Sequence, residues 1–427
     1  MANCLLSNEL PPTYDEACGS ITASAPIFQT PCPTPNLEQG FCAVDILPKK
    51  SNNRFQNLID SANEWLRANP EWKVKNCETI KYSSNVGGNP DTRKVTFSSD
   101  DTFMRCLRLW LVPQSVPSPI SLQINYFNEI PSLVSTSKHP PIFEDLTILV
   151  KKLNDRLRFQ PIDGRIVSVE SVSVPVNVSK HQSDWIDPDK LFFVECDVQV
   201  IMFRVFYICG PKSQNIIEIR DYTPKCIYSG KYENVKHESF ADLVQQAALA
   251  CRGTQILNIQ TLPKSEANGN SVAIIAFLRV VILIQSYSDP FSCFTNELMS
   301  KTFLPIQLTR KVKVENWNEP PKFQSVQMTL KHINMWAREN NVKLIAAETC
   351  AMQMYPRVDD VNGPQSTDIY RSNDKNWIWI IRVFVDGIYP DPQLLMCPIA
   401  HRGWSNKQFL EDETKVAQPA DSNCKLM

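Results

Sequence analysis

The sequence predicts an α+β fold of four tandem modules, each a helix followed by two or three strands. Three recurrent features carry that expectation. A helical pattern opening on Phe appears at Phe55, Phe143, Phe240 and Phe323. A strand with a Glu-Thr-type pair follows each helix, and a later strand holds one Arg between apolar residues.

The helices come first. Leu58, Leu146, Leu243 and Val326 stand three residues after the Phe, Ala62, Val150, Ala247 and Leu330 seven after it, and Trp65, Leu153, Ala250 and Ile333 ten after it. Those spacings place the side chains on one helix face, so each helix needs one buried partner layer. The segments 73–80, 165–172, 255–262 and 343–350 supply it, with the β-branched content and partial alternation of strands. Second strands run through 106–110, 202–206, 277–281 and 380–384, and Gly87-Gly88, Asn268-Gly269 and Asn362-Gly363 provide turn chemistry for hairpins. Further strand-like runs at Ile120 to Phe127, Ile216 to Tyr222 and Ile306 to Val314 precede the next helix. The expected arrangement is antiparallel sheets with helices on one face.

The expected boundaries are a Pro-rich leader over 1–50, modules over 51–136, 137–235, 236–318 and 319–404, and a polar tail over 405–427. The leader and tail are too poor in large apolar side chains to offset ordering entropy and are expected to be disordered. A lone unit of this size buries little core, so neighbouring modules are expected to share an interface or a continuous sheet.

Four positions repeat with an acid or amide, Glu78, Glu170, Gln260 and Glu348, and four with Arg, Arg108, Arg204, Arg279 and Arg382. Repeated acid and base have two readings, four equivalent ligand sites or cross-strand pairs that fix hairpin register. Gln260 favours the second reading, because it keeps hydrogen bonding without charge.

Composition narrows the function classes. The chain of 427 residues is 43% hydrophobic, with 44 Lys and Arg against 45 Asp and Glu. That balance gives no electrostatic footprint for nucleic acid. The 14 cysteines are scattered without Cys-x-x-Cys pairs, so no metal is expected, and Cys77 aligns with Val169 and Ile259 as a small hydrophobe of a reducing cytosol. No Gly-rich phosphate loop or nucleophile elbow occurs, and the five His share no module position. No enzyme activity and no cofactor are expected.

Instructions are concentrated at the two ends. Pro11-Pro12-Thr13-Tyr14 resembles the PPxY ligand of WW domains, such as those of HECT-type ubiquitin ligases. Consecutive prolines preset a polyproline II helix whose rings pack in an aromatic groove, and Tyr14 reaches a second pocket. Cys424-Lys425-Leu426-Met427 resembles a C-a-a-X prenylation signal, with Cys424 as the lipidated residue. One lipid chain holds a protein marginally, so palmitoylation of Cys4 or oligomerisation is the expected second signal. Tyr389 to Leu394 resembles a YPx(n)L motif and is read as a turn.

Together these features predict a cytosolic, lipid-anchored peripheral membrane adaptor that recruits WW-domain proteins and binds a further partner through its array. A soluble ligand-binding repeat protein and a viral or retroelement-type structural protein with late-domain motifs are the alternatives.

Overall fold

The computed structural model describes residues 40–392 apart from 50–53, 86–87, 99–100, 115–121, 137–139, 178–184, 195–197, 230–234, 269–270, 286–294, 307, 309–321, 354–362 and 371–375. It is mostly β, with 53% strand against 21% helix and several antiparallel sheets. This overturns the expected row of helix-strand modules with helices on one face.

Each of four principal sheets has three main strands. Sheet I holds β1 (Cys42–Ile46), β2 (Trp72–Ser83) and β3 (Thr102–Pro113); sheet II holds β4 (Ile124–Glu129), β5 (Ile162–Pro175) and β6 (Gln199–Ser213). Sheet III holds β7 (Asn215–Tyr222), β8 (Gln255–Asn268) and β9 (Ser271–Gln285); sheet IV holds β10 (Leu298–Phe303), β11 (Leu344–Gln353) and β12 (Asn376–Asp386). In every sheet the last strand in sequence lies in the middle, antiparallel to both neighbours. The helices α1 (Phe55–Ala68), α2 (Leu146–Phe159), α3 (Phe240–Ala250) and α4 (Val326–Glu339) follow the outer strands β1, β4, β7 and β10.

The inner strands close a ring, since β2 touches β5, β5 touches β8, β8 touches β11 and β11 touches β2. Each helix lies between two sheets. Leu58, Ala62 and Trp65 of α1 share a core with Cys77 and Leu109 of sheet I and with Ile124, Phe206 and Ile208 of sheet II. Likewise α2 packs with Val169 of sheet II and Ile217 and Val281 of sheet III, and α3 with Ile259 of sheet III and Phe384 of sheet IV. The ring is completed by α4, which packs with Val383 of sheet IV, with Ala43 and Trp110 of sheet I and with Phe41 just before β1. A helix buried on two sides needs a wider apolar surface than a single stripe, which explains why Ile59, Leu66, Val244 and Trp336 are buried as well.

Several elements differ from expectation. The α2 and α4 helices start three residues after Phe143 and Phe323, at Leu146 and Val326, where Asp145 and Ser325 accept from Ile148 N at 2.9 Å and Met328 N at 3.4 Å. Phe143 belongs to a two-residue strand. Residues Phe41 to Ile46, assigned to the leader, are buried, and β1 pairs with β3 from Cys42↔Leu111 to Ile46↔Leu107. A short run can join a sheet when a central strand supplies every backbone partner. The expected boundaries at 51, 137, 236 and 319 each fall between an outer strand and its helix. The strand before α4 is Leu298–Phe303, whereas Ile306 to Val314 lies largely outside the described residues.

One irregularity recurs at every inner strand. Lys75, Val167, Leu257 and Ile345 are extra residues in the register with the central strand. A bulge re-aims its side chain. Val167, Leu257 and Ile345 accordingly enter the core of the preceding helix, with α1, α2 and α3 respectively.

Candidate functional site

The repeated polar residues meet where the inner strands approach one another. Glu78, Glu170, Gln260 and Glu348 stand directly opposite Arg108, Arg204, Arg279 and Arg382 in register. The hydroxyl residue that follows each acid or amide points to the other side of the strand, toward the next sheet. Each Glu-Thr-type pair therefore reaches both neighbours.

The geometry is cyclic. Thr79 N donates to Glu170 Oε2 at 2.8 Å, Ser171 N to Gln260 Oε1 at 2.7 Å, Thr261 N to Glu348 Oε2 at 2.6 Å, and Thr349 N to Glu78 Oε1. Among the described residues an inner strand has no further strand to pair with, and these side chains take the place of that partner. The arginines grip the same residues. Arg204 Nη1 donates to Thr79 Oγ1 at 3.0 Å, Arg279 Nη1 to Ser171 Oγ at 2.9 Å, Arg382 Nη1 to Thr261 Oγ1 at 2.7 Å and Arg108 Nη1 to Thr349 Oγ1 at 2.7 Å.

Outer strands hold the other side of three guanidinium groups. Nε of Arg108, Arg204 and Arg279 donates to Asp45 Oδ1 at 2.6 Å, Asn128 Oδ1 at 2.9 Å and Asp221 Oδ1 at 2.8 Å. Thr302 occupies the matching register position beside Arg382. Arg204 and Arg382 also sit 3.6 Å over the rings of Phe55 and Phe240, the first residues of α1 and α3. Sequence reasoning missed Asp45, Asn128 and Asp221, which lie at no constant distance from the Arg they hold.

Burial dominates the electrostatics. The Glu78 carboxyl is pushed up to about 7 by loss of water, against the opposing pull of Arg108, Thr349 and Trp110. Burial also raises Glu170 and Glu348, with Arg204 and Arg382 as their main counterweights. Arg108 is desolvated too, but Asp45 and then Tyr82 outweigh that cost and hold it above its ordinary value. Arg105, another residue that the sequence reading passed over, is brought down to about 9 by burial and then by Arg204. Its Nη atoms donate to Lys190 O at 2.7 Å and Ser173 O at 2.9 Å, joining sheets I and II.

The helices add a second set of links between sheets. Asn63 of α1 donates to Ile124 O at 2.9 Å and accepts from Ile124 N at 2.8 Å, while Asn154 of α2 makes the same pair with Ile217, both at 2.9 Å. The side-chain amide thus satisfies both backbone groups of one residue on the next outer strand.

Other expected sites have plain outcomes. Pro11, Pro12, Tyr14, Cys4 and Cys424 lie outside the described residues. Tyr389 is packed, edge-on to Trp336 with its hydroxyl accepting from Lys343 N at 3.0 Å, and Pro390 O accepts from Trp336 Nε1 at 3.0 Å. Tyr389 is half-buried, with ring and hydroxyl both engaged in packing, and Leu394 lies outside the described residues. Among the described residues no group of three or more His, Cys, Asp or Glu could hold a metal ion, and Cys77, Cys106 and Cys251 are buried free thiols. Each repeated Thr or Ser hydroxyl is held by the Arg of the next sheet, an arrangement suited to fastening one sheet to another. The chain matches no family model, no curated protein and no solved structure.

Proposed function

We propose that the chain is a non-enzymatic adaptor that recruits WW-domain proteins, HECT-type ubiquitin ligases among them, through Pro11-Pro12-Thr13-Tyr14. The observation that carries this reading is the motif itself, consecutive prolines followed two residues on by Tyr14, in a segment rich in Pro, Ser, Thr and Ala.

Binding of the full chain to a panel of isolated WW domains tests the reading. Tyr14→Ala is expected to abolish binding, since one of the two pockets then loses its occupant, while Thr13→Ala changes affinity less than threefold. Equal losses from both substitutions, or none from either, would remove the adaptor assignment.

A further inference from the structure

The inner strands run side by side in one direction. Ser168 Oγ donates to Cys77 O at 3.0 Å, and two residues on Thr79 N donates to Glu170 Oε2 at 2.8 Å. The next seam repeats the pair, with Asn258 Nδ2 donating to Val169 O at 3.1 Å and Ser171 N to Gln260 Oε1 at 2.7 Å. Strands aligned in this way run along the axis of the ring and enter it from the same end. Outer and inner strands are both antiparallel to the central one, and each helix runs back from the end of its outer strand to the start of its inner strand. The four helix C-termini therefore lie at the entry end.

That end is basic. Twelve residues after the first residue of α1, α2, α3 and α4 stand Arg67, Arg158, Arg252 and Arg338, all four exposed. Rotation about the axis relates the modules, so the four guanidinium groups stand at one level. The segments 65–73, 156–165, 250–255 and 336–343, which join helix to inner strand, carry eight Lys and Arg against three Asp and Glu, whereas the whole chain is balanced at 44 against 45. A helix C-terminus favours a cation in its last turn. Arg67 Nε answers to that by donating to Asn63 O at 3.3 Å, and Arg158 lies 3.9 Å from Asp155, but Arg252 stands beyond the end of α3.

No helix rule places large apolar groups in water beside these charges. The three large apolar side chains of greatest exposure among the described residues are Leu249 at 77%, Phe159 at 75% and Ile388 at 74%. Phe159 closes α2 next to Arg158, and Leu249 lies in the last turn of α3. Ile388 follows β12 at the same end, where its neighbour Tyr389 accepts from Lys343 N at 3.0 Å. Basic and apolar groups presented together suit the headgroup layer of a bilayer, which offers negative charge at its surface and hydrocarbon just below. A single-stranded nucleic acid calls for flat rings on which bases stack, and Leu249 and Ile388 have none.

We propose that this end of the ring docks on an anionic phospholipid surface, with Arg67, Arg158, Arg252 and Arg338 against the headgroups and Phe159, Leu249 and Ile388 entering the layer between them. The contact requires no attached lipid and is separate in sequence from both terminal motifs.

Sedimentation of the full chain with vesicles tests the proposal, using protein made in bacteria so that neither Cys4 nor Cys424 carries a lipid. Binding is expected to vesicles of phosphatidylcholine with phosphatidylserine, to weaken as salt is raised, and to be absent with phosphatidylcholine alone. Each single Arg→Gln change at the four positions should lower partitioning about fivefold. The fourfold Gln variant should stay in solution, the fourfold Lys variant should still bind, and Phe159→Ser with Leu249→Ser should bind more weakly than wild type. Lys225→Gln, an exposed charge removed at the opposite end, should change nothing. The proposal is overturned by no binding at low salt, by equal binding to both kinds of vesicle, by binding that survives in the fourfold Gln variant, by an equal loss in Lys225→Gln, or by preference for a single-stranded oligonucleotide over the vesicles. Should the Gln variant fail to fold, the vesicle comparison and the Lys variant still decide.

Discussion

At the residue scale, the dipeptide of acid and hydroxyl is the unit that joins sheets. Thr79 shows how much one side chain does, since its hydroxyl donates to Glu170 and accepts from Arg204 Nη1 while its backbone N–H bonds the same carboxylate. Thr79→Val keeps the shape and removes the hydroxyl, leaving two buried charged groups short of a partner. It is expected to cost about 2–4 kcal/mol in denaturant melts. Thr79→Ser should cost less than about 1 kcal/mol, because Ser171 performs the same task one sheet on. Equal losses would mean that the methyl group is what matters. Glu78 makes a different prediction. Its carboxyl is pushed up to about 7 from the ordinary 4.5, so its contribution to stability is complete below about 4.5 and is lost progressively as pH rises from there through 7. The wild type should lose up to a few kcal/mol between about pH 4 and 7 from this group, and Glu78→Gln should flatten that part of the profile. Parallel curves for the two proteins would show that another group is responsible.

At the element scale, sequence patterns revealed that helices and hairpins exist more reliably than where they begin. A stripe at zero, three, seven and ten residues overlaps with itself after a shift of three, so periodicity alone left the α2 and α4 starts at Phe143 and Phe323. The caps Asp145 and Ser325 fix the true phase, and either might have been read from the sequence as an N-cap. The acid and Arg positions were legible because they fall at constant places in long strands. Their partners Asp45, Asn128 and Asp221 were not, because the loops between outer strand and Arg differ in length. The β1 strand was the least legible element, since Cys-Ala-Val-Asp-Ile is too short for a pattern and lies next to a Pro-rich segment. Its burial reverses, for residues 41–46, the expectation that the leader over 1–50 is disordered. A chain beginning at residue 39 should melt like the full protein, whereas one beginning at residue 47 loses the outer strand of sheet I, the Asp45 carboxylate and the ring of Phe41. That second truncation is expected to lower Tm by more than 10 °C or to prevent folding. A thermal melt of both truncated chains decides, and similar Tm values would show that β1 contributes little.

At the scale of the whole molecule, no sheet owns its core. Each helix contributes to two sheets, and the seam between sheets IV and I is fastened by Thr349 to Glu78, two residues 271 positions apart. Contacts of such separation leave no local trace in sequence, and so the ring was not legible although its parts were. Shared cores imply shared fate. Calorimetry is expected to show one transition, and Leu278→Ala in sheet III should lower its single midpoint, because that buried side chain lies in a core joining sheets III and IV. A separate early transition for one sheet would contradict this coupling.

The direction of the fastening has a consequence for assembly. Every sheet offers a carboxylate or amide on one side and a hydroxyl with its N–H on the other, so the contact is head-to-tail, and four of them complete a full turn within one chain. In an oligomer the same arrangement would be a cyclic tetramer with heterologous interfaces. A fragment made of sheets I and II alone keeps one such joint and carries two raw ends, Glu78 and Ser171, that are complementary to each other. Two copies of the half-chain can therefore satisfy one another by the contacts that the intact protein makes with itself, and the covalent chain excludes this dimer by keeping sheets III and IV permanently at hand.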